Sequence, residues 1–332
     1  MSDNTSQKTV MSGMRPTGRL HLGHYFGVLK NWLTLQSQYD CYFEIADWHA
    51  LTTRYDKTQD LRQNITEMAL DWLAVGVDPN KATLYVQSDV PEIAELHLLL
   101  SMLTPNQWVA GDPTLKDMVK MLSDDLTYGL LGYPVLQTVD IVIMKGDLVP
   151  VGKDQLAHLE ISRDIVRRFN HVYQTDILPE PQPLLTDIPM LAGLDGNKMG
   201  KSANNAVFLA ESEEETWQKL RTAVTDPARI KKDDPGTPEK CVAVYPLYPV
   251  FGNEAATKLA ADECATAKRG CMDCKKTLNE FVIESLKPMR QKRAELANDP
   301  AYVQQVLTAG AERARERASQ TLAEVKRAMK VV

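Results

Sequence analysis

The chain has 332 residues, 44% of them hydrophobic and 25% charged, enough for a substantial core in one large or two medium domains. Its 38 Lys and Arg against 44 Asp and Glu give a formal charge of −6, which excludes a uniformly basic nucleic-acid binder but not a local basic patch. Apolar runs break well before the roughly eighteen residues that span a bilayer, and Met1 to Lys8 is polar without an apolar signal core. A cytoplasmic chain with no membrane partner is expected.

In chain order, Thr9 to Gly13 has strand character. After it, Tyr25, Val28, Leu29, Trp32 and Leu33 recur at the spacing of one buried helix face. Cys41 to Asp47 reads as a second strand ending at Trp48-His49, with Cys41 plain core. Leu61, Ile65, Met68, Ala69, Trp72 and Leu73 mark a helix stopped by Gly76 and Pro79, and Thr83 to Gln87 a third strand. This alternation predicts an α/β fold with a parallel, helix-covered sheet of Rossmann type, whose ligands bind at the carboxyl ends of the strands.

Pro91 to Leu131 reads as interrupted helix, Tyr133 to Met144 as a helix opened by Pro134, Val149 to Gly152 as a short strand, and Asp154 to Phe169 as a helix. Pro179 to Pro183 reads as punctuation. From Ala206 the strand pattern fades, and helices are expected over 213–224, 253–266, 276–297 and from Tyr302 on. The predicted boundary divides an α/β domain, residues 1–206, from an all-helical domain, residues 207–332.

Three features carry chemistry. His21-Leu22-Gly23-His24 falls where the first strand gives way to a helix, so free backbone N–H groups and the helix dipole favour a phosphate there. Two imidazoles can donate to it as charge builds, and Gly23 leaves room for a flat base. Gly196-Asn197-Lys198-Met199-Gly200-Lys201-Ser202 is a turn-rich loop whose two lysines can reach phosphates as point charges. Cys241, Cys264, Cys271 and Cys274, separated by 22, 6 and 2 residues, suffice for a four-thiolate site, tetrahedral zinc or a cubane iron–sulfur cluster. The absence of an export signal argues against disulfides.

The first two features together resemble the paired phosphate motifs of class I aminoacyl-tRNA synthetases, with Gly200 where that pattern most often has serine. Tyr133-Pro134-Val135-Leu136-Gln137-Thr138-Val139-Asp140 and Asp147 to Gln155 resemble the tryptophanyl-tRNA synthetase family specifically, and the resemblance extends over essentially the whole chain. Tyr133, Gln137 and Asp140 share one helix face, and an indole N–H, a donor only, suits the acceptor-only carboxylate of Asp140.

The resemblance implies a tryptophan-tRNA ligase that makes tryptophanyl-adenylate from L-tryptophan and ATP, with Mg2+, and passes the acyl group to tRNA(Trp). His21, His24, Lys198 and Lys201 would be catalytic. ATP would be held by Arg15, Pro16, Thr17, Gly23 and His24, by Lys116, by Gly152, Lys153 and Asp154, and by Leu191, Lys198, Met199, Gly200, Lys201 and Ser202. Tryptophan would be held by Met11, His49, Tyr133, Gln137, Asp140, Val149, Val151 and Gln155. The cysteine spacing is similar to the 4Fe-4S motif of some bacterial members, with zinc as the runner-up, and the family implies a homodimer whose helical domain reads the anticodon. Lys231, Lys232, Lys268, Arg269, Lys275, Lys276, Lys287, Arg290, Lys292 and Arg293 are expected to supply a basic surface for tRNA, about half of them serving only as solvated helix faces. The rivals are a tyrosyl-tRNA synthetase and a non-catalytic tRNA-binding or iron-sensing relative.

Overall fold

The computed structural model describes residues 7–111, 115, 119, 126–152, 156–185, 191–201 and 203–332. Five strands form one parallel sheet: β1 (Thr9–Met14), β2 (Asp40–Ile45), β3 (Ala82–Val86), β4 (Leu148–Val151) and β5 (Gln182–Leu185). Their order is β3-β2-β1-β4-β5, the Rossmann-like order with β1 at the centre. Four strands match the sequence reading. The fifth, β5, lies in the stretch read as punctuation, because Pro183 argues against a strand interior and is tolerated only where the sheet ends.

Side chains alternate between two cores, as a sheet buried on both faces requires. Val10, Cys41, Phe43 and Leu84 enter the first, where Trp32 stacks on Phe43 at 4.1 Å and meets Trp72 edge-on at 4.9 Å. Met11, Tyr42 and Tyr85 enter the second. Full burial of each such side chain contributes about 2 kcal/mol.

After β1 the chain becomes helical at α1 (Leu22–His24), passes a π-helical turn at Tyr25–Leu29, and continues as α2 (Lys30–Leu35). The helix expected over this stretch is therefore broken by a wider turn. Next come α3 (Asp47–Arg54) and α4 (Leu61–Val75), the latter ended by Gly76 at φ 106° with Gly76 and Val77 N–H capping Leu73 and Trp72. Then follow α5 (Glu92–Ser101), α6 (Asn106–Ala110), α7 (Tyr128–Leu131), α8 (Tyr133–Ile143) and α9 (Leu156–Val172).

Beyond residue 206 the regular elements among the described residues are helices, the longer α-helical ones being α10 (Glu213–Leu220), α11 (Tyr248–Phe251), α12 (Glu254–Ala265), α13 (Cys271–Ala297) and α14 (Pro300–Ala328). No helix among the described residues is long and apolar enough to cross a membrane. The last helix returns to the sheet, while α13 packs on α4. Gly310 of α14 lies so close to the edge strand β3 that a Cβ there would stand 1.7 Å from the Leu84 carbonyl oxygen. Ala311, Ala314, Ala318 and Leu322 complete the second core, so α14 covers an edge that would otherwise be bare.

The expected basic surface needs correcting at four positions, one of them Arg269, which pairs with Glu263 at 2.6 Å. Arg293 of α13 bonds Asp71 at 2.6 Å and also Glu67, Arg290 bonds the Leu209 carbonyl at 3.1 Å, and buried Lys275 bonds the Arg221 carbonyl at 2.8 Å. These cations fasten helices to their neighbours. Lys231, Lys232, Lys268, Lys276, Lys287 and Lys292 remain exposed.

Candidate active site

The carboxyl end of β1 runs into the loop Arg15 to Leu20, which a short antiparallel contact ties to the segment after the lysine loop. Leu22 N–H donates to the Val207 carbonyl at 3.0 Å, Leu209 N–H to the Leu20 carbonyl at 2.9 Å, and His21 and Phe208 form the bridge between them. Two motifs far apart in sequence thus share one small ladder.

His21 and His24 stack at 3.8 Å between ring centroids. The His21 backbone N–H donates to His24 Nδ1 at 3.1 Å, which leaves the His24 proton on Nε2, free to donate outward. Burial lowers the pKa of His21 to about 4 and of His24 to about 3, with nearby Lys201 contributing to both. Both rings are neutral at physiological pH and act as hydrogen-bond donors rather than charges. Buried His21 Nδ1 has no partner among the described residues. A Cβ on Gly23 would stand 2.9 Å from the His21 ring, so the room at Gly23, expected for a base, is filled here by His21.

The lysine loop folds on Asn205, which the sequence reading missed. Its amide donates to Asp195 at 2.7 Å and to the Lys198 carbonyl at 3.1 Å, and its oxygen accepts from Gly200 N–H at 2.8 Å. Leu191 and Met199 are buried, with Met199 N–H donating to the Leu191 carbonyl at 3.2 Å, while Lys198 is exposed. Lys201 points back across the site, its Nζ 3.5 Å from Thr17 Oγ1. Arg54 at the end of α3, also missed, donates to the Thr17 carbonyl at 3.1 Å. Burial, Arg54 and Arg15 lower the Lys201 pKa to about 8, and burial lowers that of Arg15. Thr17 is thus ringed by cations, a setting made for phosphates.

A second, drier region lies beside it. Asp140, on α8, accepts from Gln87 Nε2 on Oδ1 and from His49 Nε2 on Oδ2, each at 2.9 Å. Burial first, then Arg15, lowers the His49 pKa to about 3, so neutral His49 is the donor. The His49 ring meets Tyr133 edge-on at 5.5 Å, and the Tyr133 hydroxyl bonds His158 Nδ1 at 3.2 Å. Val149 and Val151 share the apolar cluster of Met11. Gln137 sits half-buried on α8 and Gly152 follows β4. Lys116, Lys153, Asp154, Gln155 and Ser202 lie outside the described residues.

The four cysteines expected to act together border one cavity, but among the described residues they are not drawn into a metal-sized group. Cys241, Cys264, Cys271 and Cys274 line one small cavity with Arg229 and Arg269. Arg229 points at Cys264 Sγ at 3.7 Å, and the Cys274 sulfur lies 3.2 Å from the Tyr248 hydroxyl. Gly236 makes room for a sulfur, since a Cβ there would stand 2.5 Å from Cys264 Sγ. All five cysteines are free thiols, and burial pushes Cys241, Cys264 and Cys274 up, and Cys41 to about 12. Among the described residues, no three His, Cys, Asp or Glu side chains are grouped closely enough to hold a metal ion.

A Rossmann-like sheet with paired phosphate-facing motifs at its carboxyl edge is the catalytic fold of a class I synthetase. Residues 3–287 match the family model for tRNA synthetases class I (W and Y), and the chain belongs to that family. The tryptophan–tRNA ligase of Aquifex aeolicus is 40% identical over 96% of this chain and 99% of its own length. That of Thermotoga maritima is 43% identical over 97% and 99%. A solved tryptophanyl-tRNA synthetase from Campylobacter jejuni, complexed with ADP and tryptophan, superposes with a TM-score of 0.90 at 32% identity, covering 97% of this chain and 99% of that one.

Proposed function

We propose that this enzyme is a tryptophan–tRNA ligase. The observation that carries the amino-acid choice is Asp140, a buried carboxylate beside His49 and Tyr133 at the edge of the cationic site. It supplies an acceptor for an indole N–H, a donor that a phenyl ring lacks.

In this reading the tryptophan carboxylate attacks the α-phosphorus of ATP. The new bond is carboxylate oxygen to phosphorus, the bond to the bridging oxygen breaks, and pyrophosphate leaves with Mg2+. A hydroxyl at the 3′ end of tRNA(Trp) then attacks the acyl carbon, the bond from that carbon to the phosphate oxygen breaks, and AMP departs, its phosphate taking the hydroxyl proton. No protein nucleophile is needed. Neutral His21 and His24 donate to phosphate oxygens, while Lys198 and Lys201 meet the charge that moves onto the leaving group. Arg15, Pro16, Thr17, Gly23, Gly152, Leu191, Met199 and Gly200 would shape the ATP site with Lys116, Lys153, Asp154 and Ser202. Met11, His49, Tyr133, Gln137, Val149, Val151 and Gln155 would enclose tryptophan.

Residues 1–206 would form the catalytic unit and 207–332 the anticodon-binding unit of a cytoplasmic homodimer. The shared cavity and the 22, 6 and 2 spacing support a 4Fe-4S cluster held by Cys241, Cys264, Cys271 and Cys274, with zinc as the runner-up. Such a cluster would cross-link α12, α13 and the segment at Cys241. Arg229 and Arg269 would offset the negative charge of its thiolates.

Pyrophosphate exchange tests the central reading. Exchange with tryptophan, and far less with tyrosine, is expected. Tyrosine-dependent exchange would transfer the assignment to the tyrosyl enzyme, and none with either would favour the non-catalytic relative.

A further inference from the structure

Glu44 is anomalous in its own strand. Its neighbours Phe43 and Ile45 are fully buried apolar residues, and the sheet is covered on both faces, yet position 44 carries a carboxyl that is only 1% exposed. A buried ion costs several kcal/mol unless it is paired with opposite charge. No cation pairs with it among the described residues: its partners are the Tyr85 hydroxyl, which donates to Oε2 at 3.0 Å, and the carboxyl of Asp140.

Two carboxyl groups hydrogen-bonded to each other must share a proton, since two ions so close cannot both be buried. Asp140 receives two further donors, Gln87 Nε2 and His49 Nε2, whereas Glu44 receives only Tyr85. The charge therefore settles on Asp140 and the proton on Glu44. Burial pushes both carboxyls well above the ordinary carboxylate range; the Asp140 charge and Asp47 raise Glu44 further, whereas the hydrogen bonds from Gln87 and Glu44 hold Asp140 down.

We propose that Glu44 is a positioning residue for amino-acid recognition, a neutral carboxylic acid that donates its proton to Asp140 and holds that carboxylate ready for the substrate N–H. A carboxylate offers about four lone-pair sites. Gln87, His49 and Glu44 fill three and fix the plane of the group. One site remains, and on the tryptophan reading, on which this inference rests, the indole N–H takes it. Tyr85 extends the chain, since its hydroxyl also lies 3.9 Å from Met11 Sδ at the pocket wall.

Glu44→Gln keeps a neutral donor toward Asp140 and an acceptor for Tyr85, whereas Glu44→Leu removes both. The glutamine variant should keep its KM for tryptophan within about threefold of the parent. The leucine variant should raise it about tenfold or more, with the KM for ATP unchanged, because buried Asp140 and Tyr85 are each left short of a partner. Infrared spectra of the full chain at neutral pH should contain a protonated-carboxyl stretch that Glu44→Gln removes. The spectrum keeps the idea testable even where Glu44→Leu fails to fold. Equal losses of tryptophan affinity in the two variants, a leucine variant as tight as the parent, or a carboxyl band untouched by Glu44→Gln would each overturn the assignment. A parent enzyme without tryptophan-dependent exchange would overturn the tryptophan reading instead, and the infrared result would stand apart from it.

Discussion

Lys201 Nζ lies 3.5 Å from Thr17 Oγ1, although 184 residues separate them in sequence. The proposed phosphate site depends on the chain returning to its own beginning, through the ladder of Leu20 and Leu22 with Val207 and Leu209. Lys201→Ala should slow adenylate formation about a hundredfold or more while tryptophan binding stays nearly intact, because the lysine meets charge that peaks in the transition state. Single-turnover kinetics beside tryptophan titration checks this, and a loss confined to tryptophan affinity would refute the role.

The same lysine predicts a pH limb. Its pKa is depressed to about 8 by burial, Arg54 and Arg15, so the ammonium is present below that value and lost above it. At subsaturating ATP, the rate should fall as pH rises through about 8. Bound triphosphate favours the charged form, so ATP binding above pH 8 should take up a proton, visible as calorimetric heats that depend on the buffer. Heats identical across buffers would refute it.

Asp140→Ala should lose selectivity for tryptophan over phenylalanine along with activity. Sites built around a substrate N–H or O–H reject analogues lacking it by roughly 10⁴ or more in the best cases, because the site's polar group is left unpaired. Competitive pyrophosphate exchange measures the ratio, and undiminished discrimination in the variant would show that Asp140 is not the indole partner.

Protein purified without oxygen should be brown and carry about four irons and four sulfides per chain, as a thiolate-bound cubane requires. Cys271→Ser should then lower thermal stability and weaken tRNA charging while tryptophan-dependent exchange survives, because none of Arg15, Arg54, Lys198 and Lys201 lines the cysteine cavity. Colourless protein with one zinc would select the runner-up, and metal-free protein of full stability would end both readings.

Gly310→Ala should be among the most damaging small substitutions in the chain. The added methyl would meet the Leu84 backbone, which has no side-chain freedom to yield, so α14 must lift from β3. A loss of about 3 kcal/mol is expected by denaturant titration. A variant as stable as the parent would show that α14 is not seated so closely.

Much of this was legible in the sequence because it depends on local pattern. The strands β1 to β4 follow hydrophobic runs, and the two phosphate motifs and the cysteine spacing are contiguous or nearly so. What was missed depends on contacts between distant segments. Arg290 and Arg293 read as surface charge until Leu209 and Asp71 are seen opposite them. Asn205 organises a loop through three bonds that no spacing announces. Gln87 resembles the polar end of a strand, and only the fold brings it to Asp140. Glu44 did leave a signal, an acid set between the buried apolar side chains of Phe43 and Ile45.

The seat of α14 on β3 also fixes an order of events during synthesis. Arg313, which reaches Thr83, is 230 residues further along the chain. At ribosomal speeds of about 5 to 20 residues per second, the nascent protein spends roughly 10 to 50 seconds with the β3 edge made and its cover not yet translated. Through that interval the amides and carbonyls of Leu84 and its neighbours face solvent, open to pairing with another nascent strand. Chaperone demand should therefore peak late in translation and end when α14 clears the exit tunnel.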